Sequence, residues 1–139
     1  MDTSGVPPWA GFIARPEDRH LPTIVVAHLQ RATFFDGADW RRDLQWAEEA
    51  CSTASTIAVG DFNATVENLP RQRLNACADA ATSVGADGAG TWPTLLPAFL
   101  GARIDHVFLG SGWDTKSFQV LTGDSASDHR PIFATIGEK

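Results

Sequence analysis

The chain has 139 residues, 43% hydrophobic and 20% charged, a balance that suits one globular domain with its own core and argues against disorder. Eleven basic residues against seventeen acidic ones leave a net charge of −6, so there is no broad electrostatic footprint for nucleic acid, and a small anionic substrate needs locally placed groups. No apolar run approaches the roughly 20 residues of a membrane-spanning helix, and MDTSGVPPWAG at the start lacks the basic and apolar regions of a signal peptide. The expectation is a soluble chain, cytoplasmic by default, without membrane contact.

Residues 21–30, LPTIVVAHLQ, form a β-branched run closed by polar residues, the pattern of a central strand that ends at His28. From Asp39 the spacing Trp40, Leu44, Ala47, Cys51 is helical, with Asp39 as N-cap, and such a helix covers a sheet. STIAVGDFNA at 55–64 is a second strand running into a polar rim. Successive strand side chains alternate, so Asp61 and Asn63 project together while Phe62 opposes them.

A second helix is predicted over about 70–81, with Pro70 at its start and Leu74, Cys77, Ala78 and Ala81 on one stripe. Cys51 and Cys77, both in helix-like stretches, read as buried thiols in preference to a disulfide or metal pair. The segment VGADGAGTWP is a loop, RIDHVFLG at 103–110 a third strand, WDTKSFQVLTG an edge strand and HRPIFATI at 129–136 the last strand. This order predicts an α+β fold, a mixed sheet with helices packed on one face.

Polar and ionisable groups recur where apolar strands stop: His28, Asp61 with Asn63, Asp105, then Asp128 with His129. Each alone is ordinary turn chemistry. Together they are not, because GDFN is expected by chance in on the order of one chain of this length in a thousand, and here RIDHVF and SDHRP follow in order. The combination closely resembles the endonuclease/exonuclease/phosphatase family, metal-dependent phosphoesterases that include DNase I-like nucleases, inositol phosphatases and sphingomyelinases.

The resemblance runs from about residue 11 to 136 and implies half of a four-layer α/β/β/α sandwich. His28 in VVAHLQ is then the histidine that contacts phosphate or assists the leaving group. Asp61 and Asn63 orient the attacking water and hold a phosphate oxygen, Asp105 orients His129, and Asp128 is a metal-linked carboxylate. The implied cofactor is Mg²⁺, with Mn²⁺ as the alternative. The implied partner is a phosphate-ester substrate, nucleic acid among the candidates.

A serine hydrolase is disfavoured because no glycine-flanked nucleophile elbow occurs, and a zinc site because His20, His28, His106 and His129 lack ligand spacing. His106 is expected to face away from Asp105 within one strand. Trp92 stacks on substrate or supports its loop; Arg103 and Arg130 contact phosphate or form structural pairs.

The family domain is roughly twice this length, and its first half supplies a sheet and a metal-binding glutamate. None of the glutamates at 17, 48, 49, 67 and 138 follows an apolar strand upstream of His28, so Glu67 or Asp124 is the substitute to look for. Residues 1–139 therefore read as one domain, the C-terminal portion of such an enzyme. The inner face of its sheet is expected to need cover from a complementing N-terminal half or a second copy. The competing function is a non-catalytic fragment or interaction module that keeps this half of the fold.

Overall fold

The computed structural model describes residues 3–18, 20–32, 37–123 and 126–139, so Asp124 lies outside the described residues. Its larger sheet holds β1 (Gly11–Ala14), β2 (Thr23–His28), β3 (Thr56–Asp61), β4 (Arg73–Leu74), β5 (Cys77–Asp79) and β6 (Asp105–Leu109). The strand order is β1-β2-β3-β6-β5-β4, and only the β2–β3 pair is parallel. A parallel pair needs a crossover, and helix α1 (Ala38–Ala50) lies in it. This is the mixed sheet with few helices that the sequence predicts.

Helix α1 buries Leu44, Trp46 and Ala47 against one sheet face, in a cluster with Val25, Ala27, Ala58, Phe62 and Phe108. Its N-cap is Gly37, two residues earlier than the expected Asp39, which instead pairs with Arg42 at 2.7 Å. On the opposite face Ile57, Val107 and Leu109 pack with Ala80, Ala81 and Phe118. That second cluster draws on the short helix α2 (Ala80–Ser83) and on a separate hairpin, β7 (Trp113–Val120) with β8 (Ile132–Glu138).

The hairpin therefore covers part of the sheet face that was expected to lie bare. Among the described residues the large exposed apolar side chains sit elsewhere, chiefly at Leu95, Leu96, Phe99 and Leu100 in one loop.

The helix predicted over 70–81 does not form. Pro70–Gln72 makes a single 3₁₀ turn, and a short hairpin of β4 and β5 follows, turning at Asn75 with φ 51°. Asn tolerates this left-handed conformation, and β5 gains ladder bonds to β6 that a helix here would forfeit. Small apolar residues spaced three or four apart carry too little shape to decide between the two periods.

The cysteine reading is also corrected. Cys51, the residue after α1, and Cys77 in β5 form a disulfide with Cα atoms 6.0 Å apart, both wholly buried. Their separation of 26 residues in the chain hid a proximity that only the β4–β5 hairpin creates.

Candidate active site

Strand register builds the site. His28 pairs with Asp61 across β2–β3, and Asp61 pairs with Asp105 across β3–β6, so three polar residues form one row at the strand ends. Directly paired residues project to the same face, and neighbouring strands lie about 4.8 Å apart. The row thus occupies the end of the face on which the hairpin packs. Gly60 shapes this end: at φ 142° a Cβ there would lie 1.9 Å from the Ala27 carbonyl oxygen, so no other residue fits.

Beyond β3 the chain turns at Asn63, with φ 47°. The Asn63 backbone N–H donates to Asp61 Oδ1 at 2.8 Å, and its side-chain amide donates to the Leu29 carbonyl at 2.7 Å and to Asp61 Oδ2 at 3.3 Å. Phe62 points the other way and is wholly buried, as alternation requires.

His129 arrives from the segment before β8. Its Nδ1 lies 2.9 Å from Asp105 Oδ2, and its Nε2 lies 4.0 Å from Asp61 Oδ2. The carboxylate acceptor holds a proton on Nδ1. Burial pulls the His129 pKa down, but the hydrogen bond to Asp105 and the charges of Asp105, Asp61 and Asp128 outweigh it, leaving the pKa raised. Burial likewise raises the Asp61 pKa, with the Asp105 charge in support, against the Asn63 hydrogen bond and the nearby histidines.

His28, Asp61, Asn63, Asp105, Asp128 and His129 all line one cleft of about 590 Å³, so the structure brings together the six residues singled out from the sequence. Asp128 is the outlier within the set. Its Oδ2 accepts the Trp92 indole N–H at 3.1 Å, whereas the ligand atoms lying within 4.8 Å of one another belong to Asp61, Asp105 and His129. Trp92, 38% exposed, both lines the cleft and supports its loop.

The two arginines serve structure. Arg130 donates to the carbonyls of Gly90, Pro93, Thr94 and Leu96 and so pins the loop that carries Leu95 and Phe99. Arg103 is buried and pairs with Asp79 at 2.8 Å.

Thr91, Asp79 and His106 were not recognised from the sequence as supports of the site. The buried Thr91 hydroxyl accepts the backbone N–H groups of Ile104 and Asp105, at 3.1 and 3.2 Å, and so fixes the entry to β6. Asp79 caps α2 by accepting the Thr82 N–H at 2.8 Å, and the D-x-x-T spacing was the available signal for that role.

The model of the endonuclease/exonuclease/phosphatase family matches residues 3–129. No curated protein matches the chain in sequence. Solved structures share its fold. An endonuclease/exonuclease/phosphatase from Beutenbergia cavernae is 20% identical with a TM-score of 0.66, covering 92% of this chain and 38% of its own length. A family protein from Bacteroides thetaiotaomicron is 17% identical with a TM-score of 0.64, covering 86% and 51%. A mannosyl-6-phosphatase from the same species is 16% identical with a TM-score of 0.58, covering 84% and 51%.

The chain thus spans about half the length, or less, of the structures it matches. With its motifs gathered in a single cleft and nearly all its residues aligned to the family model, the chain belongs to the endonuclease/exonuclease/phosphatase family.

Proposed function

We propose that the chain is the C-terminal half of a metal-dependent phosphoesterase and carries the proton-transfer side of its site. The observation that carries this reading is His129, bonded through Nδ1 to Asp105 while Nε2 faces Asp61 across the cleft. Asp105 fixes the tautomer and stabilises the imidazolium, so His129 can hold or pass a proton where charge moves. Asp61 takes the proton side of the attacking water, and its raised pKa suits a group that exchanges protons. His28, exposed at the end of the row, contacts the phosphate.

Asn63 has its amide engaged by Leu29 and Asp61, and in this reading it acts chiefly by holding the Asp61 carboxylate. Phosphate binding by its amide requires that grip to be exchanged.

The cleft suits a hard cation: its lining offers carboxylate oxygens and no thiolate, which fits Mg²⁺ or Mn²⁺ better than a soft metal. Asp105 and His129 are committed to each other and Asp61 to Asn63 and the water, so Asp128, which also lines the cleft, would hold the ion from this chain. When bound, such an ion neutralises charge on the phosphoryl oxygens. No glutamate lines this cleft, and we assign the remaining ligand to a complementing N-terminal half or a second copy of the chain. The isolated chain then acts as a binding half without full activity. The substrate is a phosphomonoester or phosphodiester; the acidic net charge counts against tight binding of duplex DNA.

The test is turnover of bis-p-nitrophenyl phosphate with Mg²⁺ in an assembly that restores activity. His129→Ala and Asp61→Asn should each lose about 10²-fold or more. Asp105→Asn should lose less, because the imidazole stays, and Glu49→Gln, on the exposed side of α1, should change little. Intact turnover in His129→Ala would remove the basis of the proposal.

A further inference from the structure

We propose that His106, on the side of the sheet away from the cleft, is a positioning residue that sets the Asp61–Asn63 turn by donating from Nε2 to the Ala64 carbonyl. His106 is wholly buried, and its Nε2 lies 2.9 Å from that oxygen. A carbonyl can only accept, so Nε2 carries a proton whatever the state of Nδ1. The contact spans from β6 to the residue that follows Asn63, which makes it a direct tie on the turn.

The imidazole is held in place on its other side. Nδ1 lies 2.8 Å from Asp79 Oδ2 and 3.0 Å from Arg103 Nη1. Asp79 in turn accepts from Arg103 with both oxygens, at 2.9 and 2.8 Å, and from Thr82. The ring stacks on Phe108 at 5.1 Å and meets the edge-packed Phe62 at 5.9 Å, so packing also resists its rotation. These neighbours come from β5, α2, β6, the residues leading into β6 and the turn itself, and none of them lines the cleft.

Asn63 needs such a tie. A left-handed conformation at a non-glycine residue is held only where its surroundings over-determine it. On the cleft side it is fixed by the bonds to Asp61 and Leu29; on the core side, by His106 through the next carbonyl. Releasing the core side frees the 64–65 peptide, whose carbonyl His106 holds, and with it the backbone that anchors the Asn63 turn, which loosens the Asn63 N–H from Asp61 Oδ1 and the placement of that carboxylate against His129. The catalytic meaning of this tie rests on the phosphoesterase reading; the tie itself does not.

The test compares His106→Gln with His106→Asn in the 139-residue chain. A glutamine amide nitrogen reaches the position of the imidazole Nε2, whereas that of asparagine stops near Nδ1. Amide hydrogen exchange followed by NMR then reads the Asn63 N–H against the amides of α1, which report any general loss of stability. Asn63 exchange in His106→Asn should rise about fivefold to tenfold beyond that of α1, the equilibrium worth of one buried hydrogen bond, and His106→Gln should restore most of the protection.

Equal acceleration at Asn63 and in α1, or no difference between the two variants, overturns the tie. In an assembly that hydrolyses bis-p-nitrophenyl phosphate, His106→Asn should lower kcat more than it changes KM; an unchanged kcat overturns the positioning role while the phosphoesterase reading stands. Absence of turnover in every assembly sinks the phosphoesterase reading, and the exchange result then decides the tie alone.

Discussion

Reducing the Cys51–Cys77 disulfide is expected to cost the chain a large share of its stability. The bridge closes a loop of 26 residues and ties the C-terminal end of α1 to β5. In the loop-closure treatment its removal frees about 12 cal/mol/K of chain entropy, or roughly 3.5 kcal/mol at 25 °C. Domains of ordinary size are stable by only about 5–15 kcal/mol. With a urea dependence of about 2 kcal/mol/M, the unfolding midpoint should fall by roughly 1.5–2 M.

The assay is urea unfolding followed by tryptophan fluorescence, comparing the oxidised chain with one reduced in denaturant and refolded under reductant, and with a Cys51→Ala/Cys77→Ala double variant. Two titratable thiols in the untreated native chain, or a midpoint unmoved by reduction, would refute the reasoning. A buried disulfide of this kind persists in oxidising compartments, so the same thiol titration on protein from its natural source also tests the expectation of a cytoplasmic location.

Asp79→Asn should destabilise by about 3 kcal/mol or more, since it leaves the Arg103 charge buried without its carboxylate; equilibrium denaturation at pH 7 measures it. The hydrogen bonds from His106 and Arg103 outweigh burial and hold the Asp79 pKa well below the usual carboxylate range. The stability tied to Asp79 is therefore present above its unfolded pKa, near 4, and is lost as pH falls, so the variant should show a flatter acid limb. Thr91→Val preserves shape but strands the Ile104 and Asp105 N–H groups, at about 1–3 kcal/mol in the same assay.

For His129 the sign is opposite. Its raised pKa gives a contribution fully present below about pH 6.5 and lost as pH rises through the folded value, and His129→Gln should remove that slope.

The site was legible because its residues close strands, and strand ends are displayed in the sequence as a change from apolar to polar. His28, Asp61 and Asp105 each end or begin such a run, so the register row follows once the pairing order is known. The network beneath it was not legible. Asp79, Arg103 and His106 are 24 and 3 residues apart in turn, and their meeting depends on β5 lying beside β6, in a segment whose small apolar residues resemble a helix. Strand β1 was missed because four residues, GFIA, are too short for a period to show.

The loop between Gly90 and Gly101 leaves and returns through a very narrow neck. A Cβ on Gly90 would lie 2.2 Å from the Gly101 carbonyl carbon, and Trp92 and Ala102 form a bridge beside it. Backbone hydrogen bonds between Trp92 and Ala102 close the two legs together with the Thr91 hydroxyl, while Arg130 props the span. The exposed side chains of this span, Leu95, Phe99 and Leu100, can accordingly be exchanged without touching the closure, whereas the Ala98 carbonyl, which accepts the Gly90 N–H at 2.7 Å, has to keep its place. The polarity of this loop's surface can thus change while Trp92 and Ala102, at its foot, and the row of His28, Asp61 and Asp105 keep their places in the cleft.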